Sequence, residues 1–352
     1  MIDLIKTFLS LYKNRTQRRS PVEIPFFYID LVDRCNSKCQ TCHIWKNNSL
    51  EKELNLIDYK RLIPDLKKLN VRTISIGGGE PTLKENLPDI TSLFNMHNFK
   101  VHINSNGITT KETLRNLVKS GVSLFYFSCD GHDQESYKKI RGIDGFKKLE
   151  ENINFLKSLK KDIFIGINCV ISTLNMNDIQ KFYDLAYNWK VSLLQFIPIH
   201  SHLQQKEMNF QDLKSLIPST SEVLIIQEQL RVISKKLKKE GILTNPKSLI
   251  NFYPIAYRDE RAFPCFAGHA FVSLNAYGEI SACHQYSTGL NIKEISLGEI
   301  LKSNEYTKVL NKVRSCKLPC LDPGSAGISL RMQPFYILFN IKNIYKETQI
   351  FT

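Results

Sequence analysis

The chain alternates six times between apolar strand-like runs and amphipathic helical segments, and this alternation restricts its fold more than any other feature. The six runs have the length and apolar character of buried parallel strands; they cover residues 24–32, 71–79, 100–107, 122–131, 162–172 and 191–199. Helical patterns of roughly 10–15 residues between such runs are typical of βαβ units and a parallel sheet. The sequence therefore predicts an α/β fold, a partial (β/α)6 TIM-like barrel rather than a closed eight-fold one.

The segments that carry chemistry all lie at or just beyond the C-terminal end of one of these runs. They read DRCNSKCQTC, GGGEP, NSNG, SCDG and PIHS. In α/β barrels and open α/β sheets, this edge of the sheet carries the active site. We therefore expect a single site at the carboxyl edge of the barrel.

Composition and charge narrow the location and the partners. No run approaches 18 apolar residues, and the N-terminus lacks the order of a signal peptide, so a cytoplasmic protein is expected. Nine cysteines in such a chain indicate metal ligands or redox chemistry before disulfides. The net charge of +14 either favours an acidic partner or marks a solvated basic surface. Nucleic acid is disfavoured because no Arg-rich tract or RNA-binding signature accompanies the charge.

Three cysteines, Cys35, Cys39 and Cys42, form a Cys-x3-Cys-x2-Cys loop directly after the first predicted strand. Structural zinc takes four ligands, and a [4Fe–4S] cluster takes one ligand per iron. Three thiolates in one short loop can therefore hold three irons and leave the fourth open to a substrate or cofactor. A zinc loop or buried thiols are the alternatives.

This loop resembles the signature of the radical SAM superfamily, and further motifs agree in order over about residues 24–200. The resemblance implies contacts to S-adenosylmethionine (SAM) from the glycine segment, from the ends of the third and fourth strands and from a basic residue; the positions are Gly78, Gly79, Glu80, Asn104, Asn106, Ser128, Asp130 and Arg141. Two positions depart from the family pattern. Thr41 stands where the family often has an aromatic residue, and Cys129 stands where it often has an aliphatic one; the Cys129 thiol is a candidate catalytic group.

The resemblance also implies the cofactors and the chemistry. A [4Fe–4S] cluster on the three cysteines would bind SAM at its open iron, and a one-electron reductant such as flavodoxin or ferredoxin would supply the electron. Glycines 78 and 79 would let the backbone approach closely. Glu80 would either accept a hydrogen bond from the SAM ammonium or fix the turn.

A second group of four cysteines lies in the C-terminal part of the chain: Cys265, Cys283, Cys316 and Cys320. Residues 262–287 predict a β-hairpin that turns at Asn275 to Gly278. The spacing Cys-x12-Gly-x4-Cys resembles the opening of the SPASM and Twitch modules. Four cysteines fit one fully ligated auxiliary [4Fe–4S] cluster, whose expected role is electron transfer, or one zinc ion. His284 follows the second of these cysteines and is a candidate catalytic base.

These patterns predict four parts. Residues 1–22 form a basic amphipathic segment with Ile2, Ile5, Phe8, Leu9 and Tyr12 on one helical face; residues 23–250 form the barrel, 251–323 the auxiliary module and 324–352 an aromatic and basic tail. The two ends either pack on the barrel or on each other, or they make weak contact with a membrane surface.

The expected function is hydrogen abstraction by a 5′-deoxyadenosyl radical, leading to the oxidation of a sugar, a cyclitol or a lipid-linked small molecule. One alternative is a SPASM-type maturase that modifies a ribosomally made peptide. The other is a non-catalytic iron–sulfur or zinc protein that transfers electrons or binds a partner. The ordered SAM motifs count against this last alternative.

Overall fold

The protein forms an open, mostly parallel sheet covered by helices. The computed structural model describes residues 2–47, 49, 51–159, 162–199, 213–257, 261, 263–321 and 324–333. His200 and His202 of the PIHS segment, together with the tail at 335–346, lie outside the described residues. Among the described helices, none combines the length and the apolarity needed to cross a bilayer.

Ten strands build one sheet. In chain order, β1 to β10 are Phe26–Val32, Thr73–Gly78, Lys100–Ser105, Leu124–Ser128, Phe164–Ile171, Leu193–Pro198, Leu243–Thr244, Phe271–Leu274, Glu279–Cys283 and Tyr286–Asn291. Their spatial order is β10-β9-β8-β1-β2-β3-β4-β5-β6-β7. Strands β1 to β7 pair in parallel, as does β8 with β1, whereas β9 and β10 are antiparallel to their neighbours. The predicted partial barrel is confirmed.

Twelve helices are described between and beyond these strands. In chain order, α1 to α12 are Ile2–Thr16, Leu56–Lys68, Leu87–Met96, Lys111–Lys119, Gln134–Arg141, Phe146–Leu159, Ile179–Asn188, Thr220–Lys239, Lys247–Asn251, Leu297–Ile300, Asn304–Ser315 and Ala326–Arg331. Short 3₁₀ turns lie at Ile44–Lys46, Pro81–Leu83 and Tyr253–Tyr257. The short helix α5, which brings Arg141 to the site, was not predicted.

The two faces of the barrel sheet differ in chemistry. Outward-facing residues of neighbouring strands, such as Ile76, Ile103 and Phe127, are fully buried in the main core beneath the helices. The alternate residues face inward and are more polar, because successive side chains of a strand point to opposite faces. In this inner set, β3 places His102 beside Ser75 of β2. The interior of the barrel is therefore a polar, partly accessible wall rather than a filled core.

The C-terminal hairpin continues the barrel sheet. Its first strand, β8, pairs with β1 from Phe26 opposite Phe271 onward. The predicted turn is confirmed, and Gly278 adopts a φ of +107° there, which favours glycine. The second cysteine group is thereby attached to the same strand that leads into the first one.

The N-terminal helix α1 packs on the protein by a side that does not include Leu9 of the predicted apolar face. Leu9 is 61% exposed, whereas Leu11 is fully buried. Leu11 packs with Phe266 and Val313 of the C-terminal part of the chain. Packing on a distant segment selects the buried face of α1, and the local apolar pattern does not.

Candidate active site

The three-cysteine loop is fixed by main-chain hydrogen bonds to the end of α5. The amide of Lys38 donates to the carbonyl oxygen of Arg141 at 3.1 Å, and that of Gln40 donates to the carbonyl of Ile140 at 3.0 Å. Gly142 follows with a φ of +64°, and a Cβ there would lie 2.5 Å from the Lys38 carbonyl oxygen. The unpredicted helix therefore sets the position of the loop.

The three thiols lie near one another. Burial raises the pKa of Cys39 to about 12, and the neighbouring Cys42 and Cys35 raise it further, whereas Arg141 opposes them. Burial also raises the pKa of Cys35. Within the described residues, no three Cys, His, Asp or Glu side chains converge on the position of a single metal ion. A cubane distributes its ligands over separate irons, and soft thiolates are the donors that it takes, so this donor set fits a [4Fe–4S] cluster.

The glycine segment after β2 lies directly against the cysteine loop. The amide of Gly79 donates to the Val32 carbonyl at 2.7 Å, and the amide of Glu80 donates to the Arg34 carbonyl at 3.0 Å. A Cβ at Gly79 would lie 2.1 Å from the Arg34 carbonyl oxygen, and one at Gly78 would lie 2.4 Å from that of Val32. The close approach that requires glycine here is to the loop's own backbone.

Glu80 connects the end of β2 to the end of β3. Its carboxylate accepts hydrogen bonds from the amide and hydroxyl of Thr82, from the Ser105 hydroxyl at 2.8 Å and from the Asn106 amide at 2.7 Å. Burial raises the pKa of Glu80, and these hydrogen bonds oppose the rise. Of the two roles expected for Glu80, its contacts favour fixing the turn.

Asn106 extends this network back to the cysteine loop. Its side-chain amide donates to Asn36 Oδ1 at 2.6 Å and to Ser37 Oγ at 2.9 Å. Asn104, two residues earlier, faces the barrel interior and donates to Ser75 Oγ and to the carbonyl of Ile76. The two asparagines of the NSNG motif therefore have different surroundings, one beside the loop and one inside the barrel.

A buried ion pair joins the end of β4 to α5. The Arg141 guanidinium donates to Asp130 Oδ2 at 2.8 Å, and the other oxygen of Asp130 accepts from the Val170 amide at 2.7 Å. Burial lowers the pKa of Arg141, but the charges of Cys39 and Asp130 outweigh it, so the pKa lies well above its ordinary value. Nε of Arg141 is buried without a partner among the described residues. Arg141 thus has a free donor beside the cysteine loop.

Two further predicted residues lie at the end of β4. Ser128 is half-buried and pairs in register with Asn168 of β5. Cys129 is fully buried, its thiol donates to the carbonyl of Gly131 at 3.1 Å, and burial raises its pKa. The contacts described for Cys129 are those of a packed, protonated thiol rather than of a reactive one.

The four C-terminal cysteines lie on three segments of the chain: Cys265, Cys283, and Cys316 with Cys320. Burial raises the pKa of Cys283 to about 11, with Cys265 and Cys316 adding to it. Cys320 contributes in the same way to the raised pKa of Tyr286, after burial and Cys316. These electrostatic effects place the four thiols in one neighbourhood. Since no three of them converge on the position of a single ion among the described residues, this set of soft donors is better suited to a cubane, which takes one ligand per iron.

Arginine side chains hold the backbone of this second group. Arg261 donates to the carbonyl oxygens of Cys316, Leu318 and Phe263. Arg15 of α1 donates to the carbonyl of Cys265 at 2.7 Å. The N-terminal helix therefore contributes directly to the C-terminal cysteine site.

His284 faces the barrel from the second cysteine group. Its Nδ1 lies 3.9 Å from Asp30 Oδ2 of β1. Burial raises the pKa of Asp30, and His284 opposes the rise. Sequence reasoning identified His284 and missed Asp30, although the inward position of Asp30 follows from the alternation of strand β1. Asp30 faces the inner wall of the barrel, and the largely exposed His284 reaches it from the end of β9.

Sequence comparisons relate the chain to known proteins. Residues 29–186 match the family model described as the radical SAM superfamily. The chain is 28% identical over 223 residues to Fe-coproporphyrin III synthase from Methanosarcina barkeri, a match that covers 62% of this chain and 55% of that protein. It is 24% identical to GTP 3′,8-cyclase from Clostridium perfringens, covering 81% of this chain and 91% of the relative. The first of these matches spans little more than half of its relative's length.

Solved structures resemble the whole fold. Streptococcus suis SuiB bound to its precursor peptide SuiA superposes with a TM-score of 0.67 at 16% identity, covering 87% of this chain and 70% of that one. Native anSMEcpe with bound AdoMet superposes with a TM-score of 0.63 at 17% identity, covering 92% and 100%. Residues 29–186 therefore correspond to a radical SAM domain, and the family of that domain uses a [4Fe–4S] cluster and SAM.

Proposed function

We propose that Cys35, Cys39 and Cys42 hold a [4Fe–4S] cluster that binds SAM, and that the protein abstracts hydrogen from a substrate in the barrel interior. The observation that carries this proposal is the hydrogen-bond network that joins the cysteine loop to the ends of β2, β3 and β4. When bound and reduced, the cluster and SAM together supply a 5′-deoxyadenosyl radical by one-electron cleavage of a C–S bond.

The chain's own residues orient the reactants. The Arg141 guanidinium, held by Asp130, directs its unpartnered Nε towards an anionic group beside the cysteine loop, such as the SAM carboxylate. Gly78 and Gly79, with Asn104, Asn106 and Ser128, line the same strand ends. Glu80 acts here as a positioning residue that locks the turn.

The proposed outcome is the oxidation of a small hydroxylated molecule, a sugar or cyclitol that is free or linked to a lipid. Inward-facing side chains of Asp30, His102 and Asn104 offer the hydrogen-bonding groups that such a substrate requires. For a substrate whose C–OH carbon has lost a hydrogen atom, His284, which lies beside Asp30, would take the hydroxyl proton. An auxiliary [4Fe–4S] cluster on Cys265, Cys283, Cys316 and Cys320 would accept the remaining electron, which leaves a carbonyl product.

Peptide maturation is the second candidate. Its specific support is the likeness to SuiB bound to its precursor peptide and to anSMEcpe bound to the Cp18Cys peptide. Relatives named for acting on a nucleotide and a porphyrin point to small molecules instead. In either case, the one-electron donor is a flavodoxin- or ferredoxin-type protein.

The test is anaerobic reconstitution, followed by measurement of iron, sulfide and zinc per chain and of 5′-deoxyadenosine after SAM and dithionite are added. We expect about eight irons and SAM cleavage, because each cubane holds four irons. Cys39→Ser should lose about half the iron and all SAM cleavage, whereas Cys320→Ser should lose about half the iron and retain cleavage. Cys129→Ser is the matched control for a buried cysteine and should retain both.

Three outcomes would contradict parts of this proposal. An iron-free protein, or one that does not cleave SAM, refutes the radical function. About four irons with one zinc refutes the auxiliary redox role and the oxidation that depends on it. Faster 5′-deoxyadenosine formation with a peptide fraction than with a small-molecule fraction of cell extract refutes the proposed substrate class.

A further inference from the structure

The junction between α1 and α11 contains buried polar groups that the proposed active site does not use. Leu11 of α1 and Val313 of α11 pack around the turn that contains Phe266. His269 of this turn is 1% exposed, and Asn14 of α1 is 6% exposed. Both ring nitrogens of His269 and the side-chain nitrogen of Asn14 are buried and have no hydrogen-bond partner among the described residues.

Three arginines surround these groups. Burial, then the charges of Arg314 and Arg15, lower the pKa of His269 to about 3, so its imidazole is neutral and offers one N–H donor. Arg15 and Arg18 lie close enough to Arg314 for their charges to act on its guanidinium. Nη1 of Arg314 donates to Asn311, but its Nε and Nη2 are buried and lack partners within the described part of the chain.

Among the described residues, Arg18 and Arg314 have no acidic partner, whereas Arg15 lies near the Cys265 thiol. The ion pairs found among the described residues include none with Arg15, Arg18 or Arg314. Buried donors in native proteins are almost always satisfied, and adjacent like charges repel unless a counter-ion lies between them. The junction therefore has the donors and the charge of an anion site.

We propose that this junction binds one small oxyanion of the phosphate class, either free phosphate or the phosphate group of a lipid. Arg314 presents two adjacent N–H groups, the arrangement that guanidinium uses for phosphate oxygens. Asn14 and His269 add neutral donors from the two sides of the junction. Arg15 and Arg18 supply further positive charge. The proposal does not depend on the radical chemistry, because none of these residues is a proposed cluster ligand, although Arg15 also donates to the Cys265 carbonyl.

The test is isothermal titration of the reconstituted full chain with inorganic phosphate at constant ionic strength, with chloride as the reference anion. We expect one saturable site per chain. Arg314→Gln should weaken binding at least tenfold, and Arg18→Gln should weaken it to a smaller extent. Arg231→Gln is the control, because Arg231 lies on α8 in an exposed ion pair with Glu228. This variant should bind phosphate as tightly as the parent protein.

Arg18 is exposed, so its replacement does not endanger folding, and it keeps the test decisive if Arg314→Gln is unstable. Absence of saturable binding, or unchanged binding in both variants, overturns the proposal. Flotation with phosphatidylglycerol and phosphatidylcholine vesicles identifies the source. Phosphate binding without vesicle binding supports a soluble oxyanion, and Arg314-dependent binding to both phosphate and anionic vesicles supports a headgroup.

Discussion

Replacing Glu80 by glutamine isolates the role of one buried carboxylate. Oε1 of Glu80 accepts from the Thr82 amide and from two hydroxyls, whereas Oε2 accepts from the Asn106 amide. Glutamine has only one acceptor oxygen. Whichever way its amide turns, one backbone N–H, of Thr82 or of Asn106, faces an NH₂ group.

The magnitude follows from this count. One buried unsatisfied N–H costs about 1–3 kcal/mol, and the lost charge-assisted hydrogen bond adds about 1 kcal/mol. We therefore expect Glu80→Gln to lower the free energy of unfolding by about 2–4 kcal/mol. The strand ends that it joins should also separate, with loss of iron from the three-cysteine loop.

The assay is urea unfolding under anaerobic conditions, with iron measured in parallel. Glu85→Gln, the same chemical change at an exposed position five residues later, should change stability by less than about 0.5 kcal/mol. Equal stability and equal iron content in the two variants would refute the reasoning that Glu80 holds the strand ends together.

Two further substitutions probe the same site. Asp130→Asn leaves the Arg141 guanidinium buried without its carboxylate and should lower the free energy of urea unfolding by about 3–5 kcal/mol. Asp144→Asn, in an exposed ion pair, should lower it by at most about 1 kcal/mol. Equal losses would show that burial of the pair is unimportant. Gly79→Ala should abolish iron binding at the three-cysteine loop, because its Cβ would overlap the Arg34 carbonyl oxygen that leads into the loop. Gly77→Ala, whose Cβ would meet nothing closer than 3.6 Å, should retain iron. The measurement is iron per chain in the two variants.

The barrel was predictable because buried parallel strands are nearly continuous apolar runs, which the sequence shows directly. Residues of the site were predictable where their spacing is local, as in the cysteine loop and the glycine segment. Helix α5 escaped prediction because it is a short helix of mostly polar residues. Asp30 was missed because its partner, His284, lies on a segment some 250 residues later in the chain.

The same limit explains the N-terminal helix. Its local pattern favoured a face with Leu9, but the contacts of Leu11 with Phe266 and Val313 determine which side is buried. Glu80 shows a related limit, since a motif predicts that a carboxylate is required and the hydrogen-bond partners reveal what it does. Tertiary contacts, in both cases, decide between alternatives that local sequence leaves equal.

The pairing of β8 with β1 has a consequence for how the protein is made. Strand β1 emerges from the ribosome early, but its second neighbour lies roughly 240 residues downstream, which corresponds to about 12–50 seconds of synthesis. During this interval one edge of an apolar strand remains unpaired, and such edges are sites of intermolecular association. A nascent chain that stops before Phe271 would keep that edge open permanently. Completion of the C-terminal hairpin therefore protects the newly made barrel against aggregation.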